Sequence, residues 1–402
     1  MSNNYQEKKF STLSLFLIWS GAAVSVAEIL SGGALASLGL IPGLLTIIIG
    51  HLIGGVFLFL AALMGASMRT SAMESTQYSF GRYGSCFFSW FNVMQLIGWT
   101  SIMMLQGARV FDQITLSIYH YSNPNLWMIC ITLCISLWLV LIARHNASIN
   151  GVVVIILLLL SVGMGLRIMS DIQIQPIETR WQTITFWQGV ELSIAMSLSW
   201  LPLIGDYTRY SKSIFYGPLW SSVGYTIVSS CMFALGLGLS LSTGYTDIGQ
   251  MLVVAGFGLT ALFIVLFSTV TTAYLDVYSA RYSLLNIYPI RSEKTLSVCL
   301  CGLSLFITCK FPLLTIEPFL YLIGSIFAPL YAILFVDFFL LKKPSEKTKH
   351  WNCTNMILWA IGLCLYHILQ YFLPVISSSL LIILVVGSLT VIVRRIQSHG
   401  KA

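Results

Sequence analysis

The chain has 402 residues, of which 57% are hydrophobic and 9% charged, and its formal net charge is +7. Soluble globular domains carry roughly 25% charged residues, so water is not the main solvent of this protein. A soluble domain of ordinary composition is excluded.

Apolar runs long enough to cross about 30 Å of hydrocarbon as helices, roughly 20 residues each, follow one another along the chain. Twelve are predicted, at 13–36, 42–66, 86–114, 126–143, 149–170, 186–204, 215–242, 257–280, 295–311, 317–341, 354–372 and 377–393. The first is too long, and too closely followed by others, to read as a cleaved secretory signal. The expected fold class is therefore all-α, a polytopic protein of the cytoplasmic membrane with 12 transmembrane helices and no soluble domain. With cytoplasmic N- and C-termini, 17 of the 21 basic residues fall in cytoplasmic segments, among them Lys8, Lys9, Arg69, Arg82, Arg144, Arg209, Lys212, Arg291 and Lys343. That is the pattern of the positive-inside rule. Arg109, Arg167, Arg180 and Lys310 are the exceptions. Topology accounts for most of the net charge, and no nucleic-acid partner is needed to explain it.

Span one is interrupted by Gly21 and Gly32-Gly33, and Gly21, Ser25, Glu28 and Gly32 share one helical stripe. A carboxylate at membrane depth costs about 2.5–3.5 kcal/mol on insertion scales and usually faces a cavity. Span three carries Asn92, Gln95, Trp99, Met103 and Gln106 on one stripe. A planar heterocycle could stack on Trp99 and exchange hydrogen bonds with the amides; a tryptophan packed between amide-bridged helices fits the same pattern. Near the outer end of that span, Arg109 and Asp112 read as a local ion pair.

Span six is interrupted by Pro202 and Gly205. Matching interruptions in two halves of a transporter mark its substrate site, because unwound backbone at membrane depth must line a polar cavity. Spans 1–5 (13–170) and 6–10 (186–341) would then be two inverted five-helix repeats with broken helices 1 and 6, followed by two C-terminal helices (354–393). Glycine that merely permits close helix packing is the competing account. Ser197 and Trp200 on span six carry the same ambiguity as Trp99, and Glu191 and Asp337, nearer span ends, read as structural or interfacial groups. On span eight, Ser268, Thr271, Thr272, Asp276 and Ser279 form a hydroxyl and carboxylate face suited to a small hard cation. Serine and threonine can also bond back to their own helix, which would explain the hydroxyls but not Asp276.

The nine cysteines show neither disulfide nor zinc spacing and read as small apolar fillers. The six histidines are dispersed, and no His-Glu-x-x-His or Gly-x-Ser-x-Gly occurs, so an enzyme is not expected.

Four segments in order carry a resemblance: Ser79-Phe80-Gly81-Arg82-Tyr83-Gly84-Ser85, then Ile97-Gly98-Trp99 leading to Gly107-Ala108, then Gly205-Asp206-Tyr207-Thr208-Arg209-Tyr210, and Phe327-Ala328-Pro329-Leu330 with Asp337-Phe338-Phe339. In these the chain resembles the nucleobase–cation symporters, which include cytosine, purine, hydantoin and allantoin permeases, and especially their hydroxymethylpyrimidine-transporter subgroup. The resemblance implies inverted repeats working by alternating access. It implies a stacking role for Trp99 and a place beside the substrate ring for Ser197. It also implies that the carbonyls of Gly21 and Val24 and the side chains of Ser268, Thr271 and Thr272 hold the coupling cation. Met103 stands where hydantoin-type members have a glutamine, which shifts amide recognition to Gln106 and argues against hydantoin and purine.

The resulting expectation is cation-coupled import of a small pyrimidine, above all hydroxymethylpyrimidine, a thiamine precursor. Substrate contacts fall to Ser25, Glu28, Trp99, Gln106, Ser197 and Asp276, and the coupling ion is sodium, or a proton carried by a buried carboxylate. No cofactor is expected, and the sequence specifies no oligomeric state. Cytosine is the alternative substrate; a membrane sensor that binds without transporting is the alternative of another class.

Overall fold

The computed structural model describes residues 9–142, 147–170, 184–288, 292–311, 315–342, 350–372 and 377–399. Lys8, Arg144, Arg291 and Lys343, assigned to cytoplasmic segments above, and the exception Arg180 lie outside these.

The first apolar run folds as two helices, α1 (Thr12–Ala23) and α2 (Val26–Ala34), bent by 54° at their junction. Ser25 starts α2 by accepting the backbone N–H of Glu28 at 3.2 Å. A serine that takes up an orphan N–H makes a helix start tolerable where no water is at hand. The break at Val24–Ser25 corrects the interruption expected at Gly21 and Gly32-Gly33. Those glycines let helices touch, as the packing account held. A Cβ on Gly21 would stand 2.4 Å from Val154 Cγ2, and one on Gly32 2.0 Å from the carbonyl oxygen of Phe233.

The chain continues through α3 (Leu40–Met68), α4 (Ala72–Ser75), α5 (Gln77–Tyr119), α6 (Pro124–Leu137) and α7 (Ala147–Ser170). Gly81, at φ 75°, turns the chain near the start of α5, a conformation that favours glycine. The second half opens with another broken helix, α8 (Phe186–Leu198) and α9 (Leu201–Thr208). Pro202 falls in the first turn of α9, where its missing N–H would be unpaired in any case. Then follow α10 (Tyr216–Thr243), α11 (Ile248–Val254), α12 (Gly258–Ile287), α13 (Glu293–Lys310), α14 (Ile316–Phe335), α15 (Cys353–Phe372) and α16 (Ser378–His399). The two broken helices, one opening each half, give the bundle an inverted-repeat-like arrangement.

The expected count of 12 spans is corrected. Among the described residues seven helices are long and apolar enough to cross a membrane, or eight if the bent pair α1 and α2 forms one span. Apolar runs in the sequence overstate the number because the fold spends several of them otherwise. α8 and α9 have 13 and 8 residues, and α6 has 14. α5 is long, but it buries a row of serines and amides instead of presenting a uniformly apolar surface.

The broken helices sit at the centre. α1 and α2 pack on α10, α3 packs on α8 and α10, and α5 lies along α12. α15 and α16 cover α14 from outside. Of the nine cysteines, all free, only Cys301 is buried and six are exposed, so most of them serve the apolar outer surface and not the core. Arg69 donates to the carbonyls of Arg209 and Ser211, and Phe10 pairs with Tyr210 and Lys212, which gathers basic residues at one end of the bundle.

The crossing of α2 and α10 is a tight backbone-to-backbone constraint in this core. A Cβ on Gly236 would stand 1.9 Å from the carbonyl oxygen of Ile29. Overpacking of this kind costs about 1–3 kcal/mol. Gly236→Ala is expected to lower the melting temperature in detergent, whereas Gly163→Ala, whose Cβ meets nothing within 4 Å, is expected to leave it in place.

Candidate functional site

Side chains bond to backbone carbonyls on both sides of the break between α8 and α9. Asn92 donates to the carbonyl of Pro202 at 3.1 Å, and Tyr331 to that of Leu201 at 2.7 Å. Ser199 donates to Met196 O at 2.7 Å, and Gln95 reaches Ser199 O at 3.5 Å. Asn92 also donates to Ser283 on α12, and Gln95 to the Asn92 side-chain oxygen. The amides of the span-three stripe therefore hold the helix break open.

Between the two breaks lies a cavity lined by Ser25, Ala27, Glu28, Trp99, Met103, Met196, Trp200, Thr272 and Asp276. Only about 20 Å³ of it can take the centre of a water molecule, which is room for one water. The site is closed, and a ring would enter only if side chains part. Met103 and Met196 are suited to this, being unbranched and adaptable. Trp99 packs edge-on against Phe319, with ring centres 5.3 Å apart. Trp200 is braced by Trp19 at 5.6 Å and Tyr225 at 6.0 Å.

Glu28 and Asp276 face this one cavity, and both are buried. Tyr225 donates to Glu28 Oε1 at 2.8 Å, and Ser229 Oγ lies 2.7 Å from Oε2. Ser229 Oγ is in turn 2.6 Å from His51 Nε2, and His51 Nδ1 is 2.9 Å from the carbonyl oxygen of Ile47. Asp276 differs: its Oδ2 has no hydrogen-bond partner, and neither does the neighbouring Thr272 Oγ1. Unpaired buried polar atoms are costly, and both of these belong to residues that line the one cavity.

The remaining expected residues are distributed as follows. Ser25 lines the cavity while capping α2. Gln106 lines a second cavity of about 210 Å³ with Leu30, Ser31, Ala34, Leu192, Thr315, Ile316 and Glu317. Seven residues separate it from Trp99, about 10 Å along a helix, so the two do not meet around one small ring. Ser197 is not among the lining residues; it sits against Gly54 on α3, its hydroxyl 3.5 Å from Ser193 O. Gly21 and Val24 lie at the end of α1, where the Gly21 carbonyl accepts the Val24 N–H at 3.2 Å. Ser268 donates to Val265 O, and Thr271 to Phe267 O and Ser268 O, so their hydrogens are spent within α12. Their oxygens keep lone pairs for a cation. Among the described residues no group of three or more His, Cys, Asp or Glu could hold a metal ion.

Met196 lines the cavity without a sequence signal of its own. Trp200, ambiguous in the sequence, lines it too, and its place two residues ahead of Pro202 could have flagged it. His51, Ser229 and Tyr225 had no such signal, because their links in the series to Glu28 span 178 to 201 residues of sequence. Glu191 accepts four hydrogen bonds from Tyr366, Ser377 and Ser379, and Asp337 is bound by Arg394 and Asn355. Asp206 accepts the Ala72 N–H at 2.8 Å, and Asp112 accepts Ser122 and the Asn123 N–H.

Residues 4–389 match the family model described as permease for cytosine/purines, uracil, thiamine, allantoin. The chain belongs to this permease family. It is a membrane transport protein and not an enzyme. No curated protein matches the chain. Solved structures share its fold at low identity. Mhp1, a nucleobase-cation-symport-1 family transporter in a closed conformation with bromovinylhydantoin bound, is 18% identical over 96% of this chain and 92% of its own, at a TM-score of 0.79. A Na+-coupled sialic acid symporter in a substrate-bound outward-open state is 15% identical over 95% and 90%, at 0.66. The Eremococcus coleocola manganese transporter, in complex with an aromatic bis-isothiourea substituted compound, is 14% identical over 98% and 97%, at 0.60.

A buried polar group left without its partner costs about 1–3 kcal/mol, and Gln95 and Ser283 both bond to Asn92. Asn92→Leu is expected to lower the melting temperature of this permease and to weaken ligand binding at the break beside it, as read by thermal unfolding with and without ligand.

Proposed function

We propose that this permease imports a small aminopyrimidine, most of all hydroxymethylpyrimidine, by cation-coupled alternating access. The observation that carries the reading is the meeting of an indole, Trp99, with two buried carboxyl groups, Glu28 and Asp276, at the junction of two broken helices. A pyrimidine ring would stack on Trp99. Its exocyclic amine would pair with Glu28 or Asp276 as a charge-assisted hydrogen bond, and Asp276, with a free oxygen, is the readier partner. The closed cavity fits a transporter that encloses its cargo between openings to either side, the halves 13–170 and 186–341 moving against each other. Cytosine is the second reading, favoured by the description of the matched family, and it would use the same stack and the same amine contact.

The cation site is supported by the oxygen-only donor set of Gly21 and Val24 carbonyls with Ser268, Thr271 and Thr272. Such oxygens suit a hard ion like sodium. The clustering of Arg69, Arg209 and Lys212 around the N-terminal Phe10 supports a cytoplasmic N-terminus by the positive-inside rule.

Thermal unfolding with a panel of pyrimidines, purines and hydantoins tests the substrate class, since a ligand that binds only the folded state raises the melting temperature. Hydroxymethylpyrimidine is expected to give the largest shift; a larger shift from a hydantoin or a purine would overturn the assignment. Stacking of a base-like ring is worth about 1–3 kcal/mol, so Trp99→Ala is expected to weaken binding roughly 5- to 150-fold, and Trp99→Phe less. Uptake into proteoliposomes with and without an imposed sodium gradient checks the coupling; uptake indifferent to sodium would remove the proposed ion.

A further inference from the structure

A count of hydrogens behind the cavity leads beyond the substrate. Three contacts run in series from α3 to α2: His51 Nδ1 to the Ile47 carbonyl at 2.9 Å, His51 Nε2 to Ser229 Oγ at 2.6 Å, and Ser229 Oγ to Glu28 Oε2 at 2.7 Å. Each contact needs one hydrogen between its two heavy atoms. A carbonyl only accepts, so Nδ1 carries a hydrogen, and serine supplies one more. A neutral histidine and an ionised glutamate thus offer two hydrogens for three contacts. One pair of atoms would then face each other with lone pairs alone, at hydrogen-bond distance and out of reach of water. The third hydrogen has two places to sit, on His51 Nε2 or on Glu28 Oε2. The first creates an imidazolium and a carboxylate in a fully enclosed site, where charges are expensive; the second leaves every group neutral.

We propose that His51, Ser229 and Glu28 form a proton-binding site holding one exchangeable proton, which rests on Glu28 Oε2 behind the substrate cavity. In that state Glu28 donates to Ser229, Ser229 donates to His51 Nε2, and Glu28 Oε1 accepts from Tyr225. The two placements interconvert by a shift along the series. The Oε2–H bond breaks as the proton joins Ser229 Oγ, and the serine's own proton passes to His51 Nε2. Glu28 lines the cavity, so loading and unloading run through the space that opens for substrate.

The surroundings leave this proton uncontested. Phe233 covers the His51 ring edge-on at 4.7 Å. Asp276 on α12 is the other acid facing the cavity, and no Lys or Arg lines it. Glu191 on α8 is the instructive contrast. It accepts from three hydroxyls and one backbone N–H, all able to donate at once, so its contacts call for no added proton. Asp206 on α9 accepts from Ala72 N–H, and Glu317 on α14 from Tyr321, both away from the series.

The test is infrared spectroscopy of the purified full-length permease without substrate at neutral pH, which keeps it separate from any failure of the substrate assignment. A protonated carboxylic acid band is expected in the wild type and is expected to vanish in Glu28→Gln. His51→Gln is expected to shift the band, because its amide N–H can donate to Ser229 and turn the serine's hydrogen toward Glu28, which changes the hydrogen bonding of an acid that stays neutral in the enclosed site. A merely structural histidine would leave the band in place. Wild type made with carbon-13-labelled glutamate needs no variant to fold: the band is expected to shift on labelling. No isotope shift, no loss in Glu28→Gln, or an unchanged band in His51→Gln would each overturn the proposal.

Discussion

A helix that breaks inside hydrocarbon exposes N–H and C=O groups that no water can satisfy, and the central architecture of this permease answers that need. At the first break Ser25 takes up an N–H of α2. At the second, Ser199 and Gln95 take up the carbonyls of Met196 and Ser199, and Asn92 and Tyr331 add bonds to the first turn of α9. Polar side chains brought to this depth for structural reasons create the polar environment in which carboxyl groups can be kept. The cavity between the breaks is in that sense tied to satisfying backbone, and Glu28, Trp99 and Asp276 are placed around the same two breaks.

The small interior volume fits this account. Trp200 sits in the gap between α8 and α9, and with Met103, Met196 and Trp99 it closes over the polar atoms. Two of those atoms, on Thr272 and Asp276, have no protein partner, while Glu28 is fully engaged. The two carboxyl groups thus differ in kind: one is built into a network joining three helices, and the other is left for whatever occupies the site. The tight crossing of α2 over α10, enforced by glycines on both, fixes Glu28 against Tyr225 and Ser229.

Several expectations differ from the fold, for identifiable reasons. Glycine pairs suggest breaks because unwound transporter helices carry them, but glycine also allows close approach, and Gly21 and Gly32 serve that purpose. The break falls beside them, at a serine that can cap. Twelve apolar runs become seven or eight spanning helices among the described residues, because composition reports where a chain avoids water, not whether it stays in one helix. Gln106 shares a stripe with Trp99, yet two helical turns carry it to a different cavity, and Ser197 turns toward α3.

The sequence alone determined that this chain lives in a membrane and that acids and hydroxyls recur on otherwise apolar helices. These are one-dimensional properties, set by composition and by periodicity along single helices. Family membership was also legible, through short ordered segments. The tertiary structure decided which acid has partners, which helix end opens, and that His51 and Ser229 stand behind Glu28. Such facts depend on contacts between residues some 200 positions apart, and no local pattern encodes the distance between two side chains that only packing brings together.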